Sequence, residues 1–246
     1  MKSIARPLRI AGLLTLLAQG LGAQPYPKWF VHQGDILCKE IAVGYANPSF
    51  YPDSAVSEAV RNGTENYVRQ QRCSIAGGQA FWSTEIGTFW MGENFKERFD
   101  TSAVETAAKK LEVIKKYISR SIVLVLLSSS DSAGIEIKEP VESKQLTVVP
   151  QWIGVLPSDS EYIYAVGMAP KYFYERSSWI EAERMARRNL ARSVYVDIKA
   201  LQKMGRQGQE IQNEELSISL KNIEVVSRWR DVNKGIFYML LKMPIR

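Results

Sequence analysis

Along the chain, apolar and polar positions fall into a pattern that occurs twice. A short apolar run, Ile41 to Ala46 (IAVGYA), reads as a buried strand, and Ile163 to Ala169 (IYAVGMA) reads the same way. The glycine in each run predicts a bulge or the close approach of another backbone. An aromatic loop follows each strand. Small or apolar residues then recur every fourth position: Ala59, Gly63 and Tyr67 in the first copy, Ala182, Ala186, Leu190 and Val194 in the second. That spacing predicts a helix whose narrow face lies close on a sheet. Ser178 and Glu181 have the spacing of a capping box and would start the second helix.

Beyond the helix, SVYVDIKAL (Ser193 to Leu201) reads as a strand, with a more irregular counterpart around Cys73 to Phe89. LEVIKKY (Leu111 to Tyr117) and IEVVSRW (Ile223 to Trp229), followed by IVLVLL (Ile122 to Leu127) and IFYMLL (Ile236 to Leu241), predict a closing hairpin in each copy. The segment Ser102 to Ile118 is rich in Ala and Lys, which favour helix, but its partner in the second copy alternates, so both are read as strands. The predicted class is α+β: two tandem β-α-β-β domains, each with a helix packed on a small antiparallel or mixed sheet.

The duplication is explicit in the residues. Pro27 and Trp29 reappear as Pro150 and Trp152, an offset of 152 − 29 = 123. At that offset Ala42, Val43, Gly44, Phe50, Tyr51, Glu58, Ala59, Arg61, Asn66 and Arg69 match Ala165, Val166, Gly167, Phe173, Tyr174, Glu181, Ala182, Arg184, Asn189 and Arg192. The resulting division is a leader over 1–23, a first domain over 24–130, a linker over 131–149 and a second domain over 150–246. The polar run SSSDSAG (Ser128 to Gly134) opens the connection between the copies.

PQWIGVLP, YAVGMA, SSWIEAERMARRNLARSVYVDIKAL and SRWRDVNKGIFYMLL together resemble the LPP-twenty lipoprotein family of bacterial surface proteins, itself similar to the N-terminal domain of flagellar assembly protein T. The resemblance covers Pro150 to Arg246 and, more faintly, Pro27 to Leu127. It implies an exported envelope protein, often associated with the outer membrane and sometimes with a flagellar ring, and it carries no catalytic residues.

The amino end bears Lys2, Arg6 and Arg9, an apolar stretch from Ile10 to Ala18, and small residues ending at Ala23. This is the pattern of a signal peptide cleaved after Ala23, and the stretch falls short of the ~20 residues that span a bilayer. The mature chain is expected to be periplasmic or secreted, without a transmembrane span. No cysteine follows the small residues, so the acylated cysteine of the lipoprotein members is missing. Without the leader, 32 − 3 = 29 basic residues face 26 acidic ones, a net charge of +3. Such a balance does not call for nucleic acid. Cys38 and Cys73 would meet an oxidising compartment and are expected to form a disulfide.

Candidate chemistry is sparse. His32 is the single histidine, no phosphate-cradling glycine motif or metal-ligand spacing occurs, and no metal or cofactor is expected. Glu58 with Arg61, and Glu181 with Arg184, have the spacing of helix-surface pairs. Asn66 with Arg69, and Asn189 with Arg192, suit a cap on the following loop. The aromatic residues Phe50, Tyr51, Tyr172, Phe173 and Tyr174 are candidates for binding, with Phe81, Trp82, Phe89 and Trp90 as further aromatic surface. The expected function is a non-enzymatic envelope interaction protein, partnered by envelope proteins or by itself. A ligand- or peptidoglycan-binding protein that uses these aromatic loops, in a cleft between the two domains, is the alternative.

Overall fold

A computed structural model describes residues 26–36, 40–84, 87–129, 149–204 and 214–245. The fold is α+β with small antiparallel sheets. In the first half, a short helix α1 (Lys28–Val31) precedes β1 (Ile41–Ala46), α2 (Pro52–Gln71), β2 (Arg72–Thr84), β3 (Gly87–Phe99), α3 (Ala103–Lys110), β4 (Leu111–Ile118) and β5 (Val123–Ser129). The second half runs β6 (Tyr162–Pro170), α4 (Glu175–Met204), β7 (Glu214–Lys221), β8 (Glu224–Asp231) and β9 (Ile236–Pro244).

Two of the three sheets among the described residues repeat one design. β5 lies between β1 and β4 in the first, β9 between β6 and β8 in the second, and all neighbours are antiparallel. α2 packs on the first sheet and α4 on the second. Even the irregularities match: the ladder slips one residue between Val113 and Lys115 in β4, and again between Val225 and Ser227 in β8. A bulge of this kind twists the edge strand and re-aims the residues beyond it.

Helix and strand meet backbone to backbone. A Cβ on Gly44 would lie 1.9 Å from the Ala59 carbonyl oxygen, and one on Gly167 2.1 Å from that of Ala182. Of the two meanings the strand glycines allowed, the close approach is the one found. The same helix face secures the contact laterally. Asn66 Nδ2 donates to the Val43 carbonyl at 3.0 Å and Asn189 Nδ2 to the Val166 carbonyl at 2.8 Å. These asparagines were expected to cap the following loop; instead each reaches sideways to the strand beneath.

The third sheet joins the halves. β2 pairs antiparallel with β3 on one side and with β7 on the other, Cys73 lying opposite both Phe99 and Leu220. The largest apolar core is also continuous across the halves, with Phe30, Tyr45, Ile75, Leu124 and Leu126 meeting Trp179, Leu190, Leu220 and Phe237 in one cluster. Tyr26 and Phe30 sit against the Trp179 ring at centroid distances of 5.6 and 5.1 Å.

Four local expectations are corrected. Ser193 to Leu201 is not a strand: α4 continues unbroken to Met204, because Ala200, Leu201, Gln202 and Lys203 favour helix where the first copy has Gly77 and Gly78. Ala103–Lys110 is helix, and only the alternating stretch after it is strand. The capping box does not form, since α4 begins three residues before Ser178, whose hydroxyl oxygen accepts the Tyr172 N–H at 2.8 Å. Ser128 and Ser129 belong to β5 and are buried there, not to a linker; residues 130–148 lie outside the described ones.

Candidate functional site

The aromatic candidates are on the surface. Phe50 and Phe173, equivalent in the repeat, are 90% and 93% exposed, and Tyr51, Tyr172 and Tyr174 are exposed as well. Each Phe sits edge-on to its neighbouring tyrosine, Phe50 with Tyr51 at 5.2 Å and Phe173 with Tyr174 at 4.9 Å between centroids. Aromatic side chains are ordinarily used to fill cores. Here the same pair is left in water twice, at equivalent places in the repeat.

The two ledges share one end of the molecule. Tyr51 immediately precedes α2 and Tyr174 immediately precedes α4. Glu58 of α2 ion-pairs with Arg176 in the first turn of α4. Farther along, Arg69 of α2 and Arg187 of α4 both bind Glu97 of β3, at 3.2 and 3.0 Å. Both helices advance eleven residues between these bridges (69 − 58 and 187 − 176). They therefore run side by side in the same direction. Glu58 was expected to pair within its own helix and reaches across the halves instead; its counterpart Glu181 does pair with Arg184, at 2.6 Å.

Beneath the ledges, a chain of buried polar groups crosses between the halves. Arg187 lies between Glu97 and Glu183, at 3.0 and 2.8 Å. The Tyr45 hydroxyl donates to Glu183 at 3.0 Å and accepts from Arg228 Nε at 3.1 Å. Arg228, 1% exposed, also donates to the Phe30 carbonyl at 2.8 Å and to Gln33 at 2.9 Å, and its guanidinium covers the Phe30 ring. Burial works against the charge on Arg187, but Glu97 and Glu183 outweigh it and hold the guanidinium protonated. Burial also pushes the Tyr45 hydroxyl well above its ordinary range; the Arg228 charge opposes this and Glu183 reinforces it. These groups are satisfied by one another, the arrangement of a structural clamp. The pattern of polar positions did not reveal them, because Glu183 and Arg187 look like an ordinary i,i+4 surface pair and Arg228 falls on a strand position that could have faced water.

Cys73 is buried in β2, and burial pushes its thiol up to about 12 against the opposing charge of Arg187. Its expected partner Cys38 lies outside the described residues, as do the side chains of Phe81, Trp82, Phe89 and Trp90. His32 is the C-cap of α1, its N–H bonded to the Lys28 carbonyl. Among the described residues, no group of three or more His, Cys, Asp or Glu could hold a metal ion. A shallow cleft of about 340 Å³ lies between the halves, lined by Glu40, Gln70, Tyr162, Asn222 and Glu224 among others. No helix among the described residues is long and apolar enough to cross a membrane. Comparison with family models, curated proteins and solved structures finds no match to this chain.

Proposed function

We propose that this chain is a non-enzymatic interaction protein of the bacterial cell envelope, exported by its leader, and that it binds through the end carrying the two aromatic ledges. The observation that carries the reading is the repeated exposure of Phe50–Tyr51 and Phe173–Tyr174 beside two parallel helices. The LPP-twenty resemblance and the signal-peptide pattern agree with it. Mild cross-linking of the mature protein in its native cells, followed by identification of what co-purifies, tests it. Envelope components should be recovered with the native chain and lost with Phe50→Ser/Phe173→Ser. An unchanged set of cross-linked species in that variant would remove the ledges from the function.

A second reading rests on the cleft between the halves. Its carboxylates Glu40 and Glu224, with Tyr162 and Gln70, are groups that hydrogen-bond sugars or small polar ligands. Glu40→Gln should then abolish retention on purified peptidoglycan while Phe50→Ser/Phe173→Ser leaves it intact.

A further inference from the structure

The aromatic end carries more than its rings. Residues Ser119 to Ser121, between β4 and β5, stand at the same end as the loop after β1, since Ala46 pairs with Val123 where β5 begins. Likewise the β8–β9 turn adjoins the loop after β6, with the Lys171 N–H bonded to the Gly235 carbonyl at 2.7 Å. Exposed Ile118 therefore joins Phe50, Tyr51, Tyr172, Phe173 and Tyr174. The same loops place three exposed cations there, Arg120, Lys171 and Lys234. The acids at this end are largely engaged: Glu58 with Arg176, Glu175 with Arg230 at 3.2 Å, and Asp231 beneath Lys234 at 3.9 Å. Exposed Asp53 in the first turn of α2 is the exception. Two helix amino termini add the positive ends of their dipoles.

The chain also enters here. The Tyr26 hydroxyl bonds to Glu175 in the first turn of α4, so the beginning of the described chain lies against the aromatic end.

We infer that this end docks on the surface of an anionic phospholipid membrane, the phenyl rings of Phe50 and Phe173 entering the headgroup boundary while Arg120, Lys171 and Lys234 meet phosphates. The chemistry is that of peripheral anchoring: protruding aromatic rings for the apolar layer, tyrosines for the interface and cations for the lipid charge. The inference rests on the proposed interaction role and specifies the surface that the ledges meet.

Flotation of the chain beginning at Gln24, which contains every described residue, tests it with vesicles of phosphatidylethanolamine and phosphatidylglycerol against vesicles of phosphatidylcholine. Binding is expected to the anionic vesicles, weaker by several-fold when salt rises from about 0.1 M to about 0.5 M. Phe50→Ser/Phe173→Ser should weaken it at least roughly tenfold, and Arg120→Glu/Lys171→Glu should also reduce it. Val155→Ser/Leu156→Ser, at exposed apolar positions before β6 and away from this end, should leave it unchanged. Circular dichroism and thermal melting establish that each variant is folded, as full exposure of the two phenylalanines predicts. Absence of flotation with anionic vesicles, or flotation indifferent to Phe50→Ser/Phe173→Ser, overturns the membrane assignment. If flotation is absent but native cross-links to an envelope protein still depend on the two phenylalanines, the membrane assignment falls and the interaction role stands. If the cross-links are indifferent as well, both fall.

Discussion

Gly44 and Gly167 set the distance between helix and strand in both halves, and a single methyl group at either position has nowhere to go. A Cβ at residue 167 would stand 2.1 Å from the Ala182 oxygen and 2.2 Å from the Ala186 nitrogen, both backbone atoms that cannot rotate away. Gly167→Ala should therefore cost about 3 kcal/mol, read as a fall of roughly 10 °C in Tm. The buried asparagines predict a smaller effect. Asn189→Ala removes one donor and leaves the Val166 carbonyl unpaired, a loss of about 1–2 kcal/mol in chemical denaturation.

Alkali is the other residue-scale test. Tyr26, Tyr45 and Cys73 all have folded-state values raised, first of all by burial, so each binds its proton more tightly folded than unfolded. Their contribution is fully present below the unfolded values of 9.0 for the thiol and 10.0 for the phenols. It is lost as pH rises through and beyond them. Denaturant titrations of reduced protein should show stability falling steeply above pH 10, and Tyr45→Phe should flatten part of that fall.

At the level of elements, local pattern was a good guide wherever the element's own sequence decides its form. The alternation of Leu111 to Tyr117 and Ile223 to Trp229, and the apolar runs after them, marked both hairpins, and the four-residue spacing marked both helix faces. Local pattern misled at Ser193 to Leu201, where the β-branched and aromatic positions Val194, Tyr195, Val196 and Ile198 read as a strand although the segment continues α4, which runs unbroken to Met204. The bridging sheet was illegible for a different reason: β2 and β7 are far apart in sequence, and nothing local in either names its partner. The exposure of the aromatic ledges was likewise undecidable, since phenylalanine beside tyrosine suits a core equally well. The turn that carries β7 into β8 offers its own check. Asn222 stands at φ 53°, and the N–H groups of Asn222 and Ile223 bond to the carbonyls of Gln71 and Gln70 at the end of α2. Asn222→Gly should be tolerated, whereas Asn222→Val should destabilise by about 1–2 kcal/mol, measured by urea titration.

Across the whole molecule, the buried polar chain and the shared apolar core predict one cooperative unfolding event. Scanning calorimetry should give a single transition whose van't Hoff and calorimetric enthalpies agree. Arg187→Met should lower its midpoint by the equivalent of about 3–5 kcal/mol, because Glu183 would stay buried without its cation while Glu97 would keep only Arg69.

The β2–β7 ladder has a consequence for stoichiometry. β7 finds its neighbour within its own polypeptide, in a strand contributed by the other copy of the repeat. Tethering makes that encounter intramolecular, so its occupancy is governed by chain connectivity and not by protein concentration. The two ledges are thereby delivered in a fixed ratio and a fixed relative orientation at any dilution.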